Sequence, residues 1–238
     1  NGLTQHQHHQ NNMGAFGGPD IVTDNLTFAI DPGSARSYPG SGTTVTDLAG
    51  TNNVTLANGV LFASNNGGVL IYDGVDDQGT AGDFFNYQAF TINLWVNPGS
   101  TQAQYANIID NDHNGNRNWT LQQNSTNQNL YSFNVFGASY QNTVTGNFQL
   151  TAGDWVNLTF TYDGTRVRGY RDGVLFATGG VLGVPINYSA QDFHIARWGG
   201  NTQRDWEGQF GPLYCYNAAL SATQILQNYN AQKSRFGL

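Results

Sequence analysis

Residues 161–178 read "TYDGTRVRGYRDGVLFAT". Two Asp-Gly pairs, Asp163-Gly164 and Asp172-Gly173, separate short runs of β-branched and aromatic residues. Asp-Gly supplies the positive-φ backbone of a tight hairpin turn, whose twist matches that of the flanking strands. The stretch therefore predicts a three-stranded antiparallel meander, with "WVNLTF" upstream extending its first strand.

The same texture continues in both directions. "NLTFAI" (25–30), "GVLIYDG" (68–74), "FTINLWVNP" (90–98), "ANIIDN" (106–111) and "NWTLQQN" (118–124) are strand-like runs bounded by turn residues. "LYSFNVFG" (130–137), "DFHIARWGG" (192–200) and "GQFGPLYCYN" (208–217) follow suit. Many short strands with short turns indicate a sandwich, not a parallel α/β sheet. One helix is expected in "LSATQILQNY" (220–229), where Ser221 and Gln224 form a capping box ahead of Ile225, Leu226 and Tyr229. The predicted class is all-β: a two-sheet antiparallel jelly-roll sandwich with one short C-terminal helix. Residues 21–238 are expected to form it as one domain. Residues 1–20, "NGLTQHQHHQNNMGAFGGPD", show no periodicity and read as an N-terminal arm ordered by a partner if at all. A metal site on His6, His8 and His9 is the competing reading of that arm.

Composition narrows the function. Charged residues make up 11% of the chain, against roughly 25% in ordinary soluble domains. Asn, Gln, Thr, Ser and Gly supply the polarity instead, a surface suited to sugar hydroxyls or to crowded assemblies. Net charge is −7 and no basic run exists, so the footprint of nucleic-acid binding is missing. No run is long and apolar enough for membrane insertion. The chain begins with Asn1, which reads as processing or as a piece of something longer. Cys215 is the only cysteine and reads as a core residue, so no disulfide and no cysteine metal site are expected.

The order "YDGVDD", "FTINLWVNP", "DWVNLTFTYDGTRVRGYRDGVLFAT" and "YNAALSATQILQNYN" resembles the laminin-G-like branch of the concanavalin A-like lectin/glucanase superfamily. The resemblance covers roughly residues 24–230 and implies two antiparallel sheets with a short C-terminal helix. "SARSYPGSGTT" and the terminal "ILQNYNAQKSRFGL" are similar to the version carried by structural proteins of tailed bacteriophages, including marine ones. That narrower likeness implies a virion-surface location, as capsid decoration or in a tail fibre or tail tip. Its partners would be other virion proteins, copies of itself and a host polysaccharide. A secreted or cell-surface lectin module, hence an extracellular location, is the alternative.

Catalysis is not expected. Glucanase members carry two glutamates and an aspartate on one strand, whereas Glu207 is the only glutamate here. "DND" at 110–112 is the nearest Asp pair and reads as a loop at a strand end. No nucleophile elbow, Rossmann fingerprint or P-loop is present.

No motif requires a cofactor, and calcium is the ion these loops could take. Asp47 and Asn52 in "TDLAGTNN", and Asp76 and Asp77 in "YDGVDDQG", are the candidate ligands. Asp73-Gly74 reads as a turn first, and turns alone are the competing account of both segments. For sugar binding, two glycine-bearing loops concentrate planar polar groups beside tryptophan. Loop 110–117 offers Asp110, Asp112, His113, Asn116 and Arg117; loop 197–206 offers Trp198, Asn201, Arg204 and Asp205. Trp198 is expected to be exposed, Trp119 and Trp206 to anchor strand starts, and Trp95 and Trp155 to lie in the core.

Overall fold

The structure, a computed structural model, describes residues 20–113, 116–124, 128–199 and 204–238. The expected arm at 1–20 thus lies outside it, save Asp20. Two antiparallel sheets face each other. From edge to edge, the first runs Val174–Thr178, Val167–Arg171, Val156–Tyr162, Phe90–Pro98, Glu207–Tyr216, Val69–Asp73 and Leu61–Ala63. Leu26–Ile30 also pairs with Glu207–Tyr216. The second runs Asn142–Val144, Leu130–Phe136, Asn116–Gln123, Asn107–His113, Phe193–Ile195, Gln78–Ala81, Val54–Ala57 and Thr44–Val45, with Phe148–Gln149 beside Leu130–Phe136.

The Asp-Gly meander is present, with two different turns. Asp172 and Gly173 both adopt positive φ, 50° and 80°, in a two-residue turn. The Asp163-Gly164 connection is longer. There the Asp163 carboxylate accepts the amides of Thr165 and Arg166 at 3.0 and 2.9 Å, while Arg168 pairs with it at 2.5 Å. Those donors together hold Asp163 below the usual carboxylate range against the opposing effect of burial.

The core lies between the sheets and is largely aromatic. Phe133 stacks on Phe160 at 4.4 Å across the gap, and Phe85, Phe90, Trp119 and Phe193 form a contiguous ring cluster. Alternation decides which side chains enter it. In Leu130–Phe136, Tyr131, Phe133 and Val135 are buried while Ser132 and Asn134 turn to the other face. Trp206 and Trp119 are fully buried, as expected; Trp206 donates its indole N–H to Tyr131 Oη at 3.0 Å.

The helix Ala222–Gln232 carries the expected capping box and covers the outer face of the first sheet. Trp95 stacks there on Phe236 at 4.2 Å and donates to Gln232 at 2.8 Å. Trp155 differs from expectation. It precedes the Val156–Tyr162 strand and is half-buried against Phe236 at 4.6 Å, because its ring closes the edge of this layer and not the core.

Candidate functional site

The polar stretch 110–112 is strand, not loop. Asp110 lies in register with Thr120 on one side and His194 on the other, so its backbone is paired within the second sheet. A bulge between Asn111 and Asp112 re-aims the following side chains. Both carboxylates are buried: Asp110 is 0% and Asp112 2% exposed. That placement corrects the reading of them as loop contacts to a sugar. They position other groups.

Asp110 finds its partners in the distant segment 194–205, and Asp112 finds its own in Arg117 nearby. Asp110 faces His194 Nδ1 at 3.3 Å and accepts the Gly199 amide at 3.2 Å. Burial pushes its pKa up to about 7, moderated by His194 and the Gly199 amide and raised further by Asp112. Asp112 accepts from Arg117 Nε at 3.2 Å. Burial raises its pKa too, while Arg117, the Arg204 charge and the neighbouring Trp198 pull it back. Asp205, 2% exposed, pairs with Arg197 at 3.5 Å. Burial pushes its pKa to about 6 against the pull of Arg197, with Asp76 and Asp73 adding to the rise.

The base of this segment is closed by the main chain. Ala196, at φ 63°, donates to Ile108 O at 2.9 Å, Asn107 donates to Arg204 O at 3.1 Å, and Trp206 donates to Ala196 O at 2.8 Å. Trp198 is half-buried, which corrects the expectation of an exposed ring. Its indole lies beside Asp112 and helps lower that carboxyl's pKa, and the Arg204 guanidinium lies 4.3 Å from its centroid. Arg204 also lies 5.2 Å from the Tyr105 ring, and Arg117 sits 4.2 Å over Phe136. Each arginine is thus fixed by aromatic contact.

Beside this network the outer face of the second sheet holds a cavity of about 370 Å³. Tyr105, Arg117, Gln122, Ser132, Asn134 and Asn142 line it. The face is a ladder of neutral amides and hydroxyls with one tyrosine, 37% exposed, and one fixed guanidinium. Such a surface can hydrogen-bond sugar hydroxyls and stack a pyranose ring.

Of the residues expected from sequence, Asp110, Asp112, Arg117, Trp198 and Arg204 form one network, Asp205 pairs with Arg197, and Arg117 alone of these lines the cavity. Asn201 lies outside the described residues, as do the side chains of His113 and Asn116. Sequence reasoning missed His194, Tyr105 and the polar ladder. The alternation in "LYSFNVF" carried the signal for Ser132 and Asn134; nothing local announced His194.

The calcium candidates separate. Asp47 is buried, and its carboxylate accepts the amides of Ala29, Ala49 and Asn52 at 2.9, 3.0 and 3.1 Å. Its oxygens face a ring of positive dipoles, the surroundings of a loop staple and the opposite of a cation cage. Asn52 contributes its backbone to that staple. Asp73, Asp76 and Asp77 do converge, with ligand atoms within 4.8 Å of one another. Asp73 accepts the Val75 amide at 2.8 Å, the turn expected, and Asp77 accepts the Asp73 amide at 3.1 Å.

A family model for the concanavalin A-like lectin/glucanases superfamily matches residues 50–226. The chain belongs to this superfamily. Its lectin-like sandwich is also similar in fold to domain 4 of an extracellular arabinanase from Geobacillus stearothermophilus, solved in complex with arabinotriose. That likeness has TM-score 0.67 and 15% identity, covering 86% of this chain and 98% of that one. The binding domain of botulinum neurotoxin serotype G matches with TM-score 0.69 and 18% identity over 88% of this chain and 52% of that one. The binding domain of Paraclostridial Mosquitocidal Protein 1 matches with TM-score 0.68 and 13% identity over 87% and 52%. The chain spans about half the length of these toxin binding domains. No curated protein sequence matches it. Among the described residues no helix is long and apolar enough to cross a membrane.

Proposed function

We propose that the chain is a non-catalytic glycan-binding domain, and that the outer face of its second sheet binds the sugar. The observation that carries this is the polar cavity beside Tyr105, with Arg117 and Arg204 fixed in place before any ligand arrives. The arabinotriose complex of the similar arabinanase domain supports a sugar as the ligand class. Against catalysis stands the state of the Asp pair: both carboxylates are buried and engaged by His194, the Gly199 amide and Arg117. Single-site affinity is expected in the millimolar to micromolar range, on the order of −4 to −8 kcal/mol.

The setting proposed is a virion surface, with many copies raising weak binding through avidity. The phage-like motifs "SARSYPGSGTT" and "ILQNYNAQKSRFGL" support it, as does a surface poor in charge. In that setting other virion proteins and further copies of the chain are its neighbours. A secreted lectin module is the second reading, favoured by the extracellular arabinanase domain of the same fold. Calcium, if it acts, would do so at Asp73, Asp76 and Asp77 and apart from the cavity's own lining.

The test is a glycan array probed with the fluorescent domain, alongside a reducing-end assay on every glycan that binds. Binding without product release is expected. Turnover abolished by Asp112→Asn would overthrow the non-catalytic reading. Gold-labelled antibody on intact particles decides between virion and free module.

A further inference from the structure

We infer that the glycan held at this face carries a carboxylate, read by the guanidinium groups of Arg117 and Arg204. This rests on the glycan-binding reading above and adds the chemical class of the sugar.

Charge accounting points there. The chain has nine cationic side chains, and three of its arginines, Arg117, Arg197 and Arg204, gather at one end of one sheet. Among the described residues their carboxylates are shared unevenly. Arg197 is matched by Asp205. Asp110 faces His194 and the Gly199 amide, and burial keeps it partly protonated near neutrality. Asp112 alone answers both Arg117 and Arg204. Two guanidinium groups thus share one buried carboxylate, Arg117 in the cavity lining and Arg204 against the lining residue Tyr105, in a protein of net charge −7.

The geometry suits an incoming anion. Asp112 takes Arg117 at Nε, and Arg117 itself lines the cavity. Arg204 makes its described contacts through ring faces, at 4.3 Å to Trp198 and 5.2 Å to Tyr105. Stacking occupies the flat face of a guanidinium and leaves its in-plane N–H donors for an acceptor. A planar carboxylate matches that fork better than a single hydroxyl does. A neutral sugar needs only the amide and hydroxyl ladder of Gln122, Ser132, Asn134 and Asn142. The two aromatic-fixed guanidinium groups beside that ladder are what a neutral ligand leaves unused.

The experiment compares oligosaccharides differing only in that group. The probes are a hexuronate trimer, its carboxyl-reduced neutral counterpart and a sulfated trimer, titrated calorimetrically at low and high sodium chloride. The hexuronate trimer should bind roughly tenfold or more tighter than its neutral counterpart, and added salt should erode the difference. Arg204→Gln should bring the ratio of the two affinities towards one, and Arg204→Lys should restore part of it. Should Arg204→Gln fail to fold, the wild-type comparison and its salt dependence decide alone. Equal or tighter binding of the neutral trimer overturns the carboxylate while glycan binding stands. Preference for the sulfated trimer alone overturns it in favour of a different anion. If no trimer and no member of the glycan array binds, both readings fall together.

Discussion

Replacing Asp110 by Asn tests the site's electrostatics directly. The amide keeps the size of the carboxyl group and an acceptor for the Gly199 amide, but cannot ionise. Because burial raises the Asp110 pKa to about 7, the folded protein holds a proton there that the unfolded chain has released above about pH 4. The folded state therefore binds more protons between those values, and stability falls as pH rises through that window. Roughly three units of separation at about 1.4 kcal/mol each set a ceiling near 4 kcal/mol for the loss between about pH 4 and pH 7. The wild type should become progressively less stable in urea from about pH 4.5 to 7.5, with a slope of up to about 1.4 kcal/mol per unit from this group. Asp110→Asn should remove one proton's worth of that slope and equal or exceed wild-type stability at the alkaline end. Urea melts at five pH values measure both curves. Parallel curves, with the variant weaker throughout, would show that Asp110 is ionised and firmly paired in the folded state, and the reasoning would fail.

Trp198→Ala should weaken glycan binding at least tenfold and also destabilise the fold by about 1–3 kcal/mol, because the half-buried ring under the Arg204 guanidinium is lost. Calorimetry and thermal melts read the two effects separately, and unchanged stability would contradict the packing of Trp198 against Arg204. Trp95→Ala removes the ring stacked on Phe236 and should cost about 3–5 kcal/mol. Hydrogen exchange should then show the helix Ala222–Gln232 losing protection first; uniform loss would refute its docking through Trp95. Asp47→Ala strips the acceptor from three amides and should cost about 2–4 kcal/mol. Millimolar calcium should not rescue that variant, and any calcium stabilisation of the wild type should be lost in a protein that keeps Asp47 but lacks the Asp76 carboxylate. A calcium response that vanishes only with Asp47 would reinstate the cation loop.

Long periodic strands were legible because each carries its own burial pattern. "LYSFNVF" alternates cleanly, and "VNLTFTY" sits between two neighbours in the first sheet. Gln78–Ala81, Asn142–Val144 and Phe148–Gln149 were not, since two to four residues are too few to show a period. Pairing with distant strands makes them β: Gln78–Ala81 lies between Val54–Ala57 and Phe193–Ile195. The misreading of 110–112 has the same origin. Three polar residues in a row look like a loop, because polarity without a visible partner usually means water. Here the partners are Thr120 and His194 in register, and the carboxylates meet donors from the far segment.

That non-locality bears on why the network exists. Burying a carboxylate is costly, and a well-packed apolar replacement for a buried ion pair is often neutral or stabilising. A chain with only 11% charged residues nevertheless gathers Asp110, Asp112, Asp205, His194 and three arginines at one sheet end. Fold stability alone gives no reason for that concentration, since the aromatic core between the sheets already holds the sandwich together. What the network does accomplish is to fix Arg117 in the lining of a polar cavity, with Arg204 set between Trp198 and the lining residue Tyr105. Ionic positioning of that kind is expected where donors must stand ready for a ligand, since a guanidinium fixed in advance loses less freedom on binding.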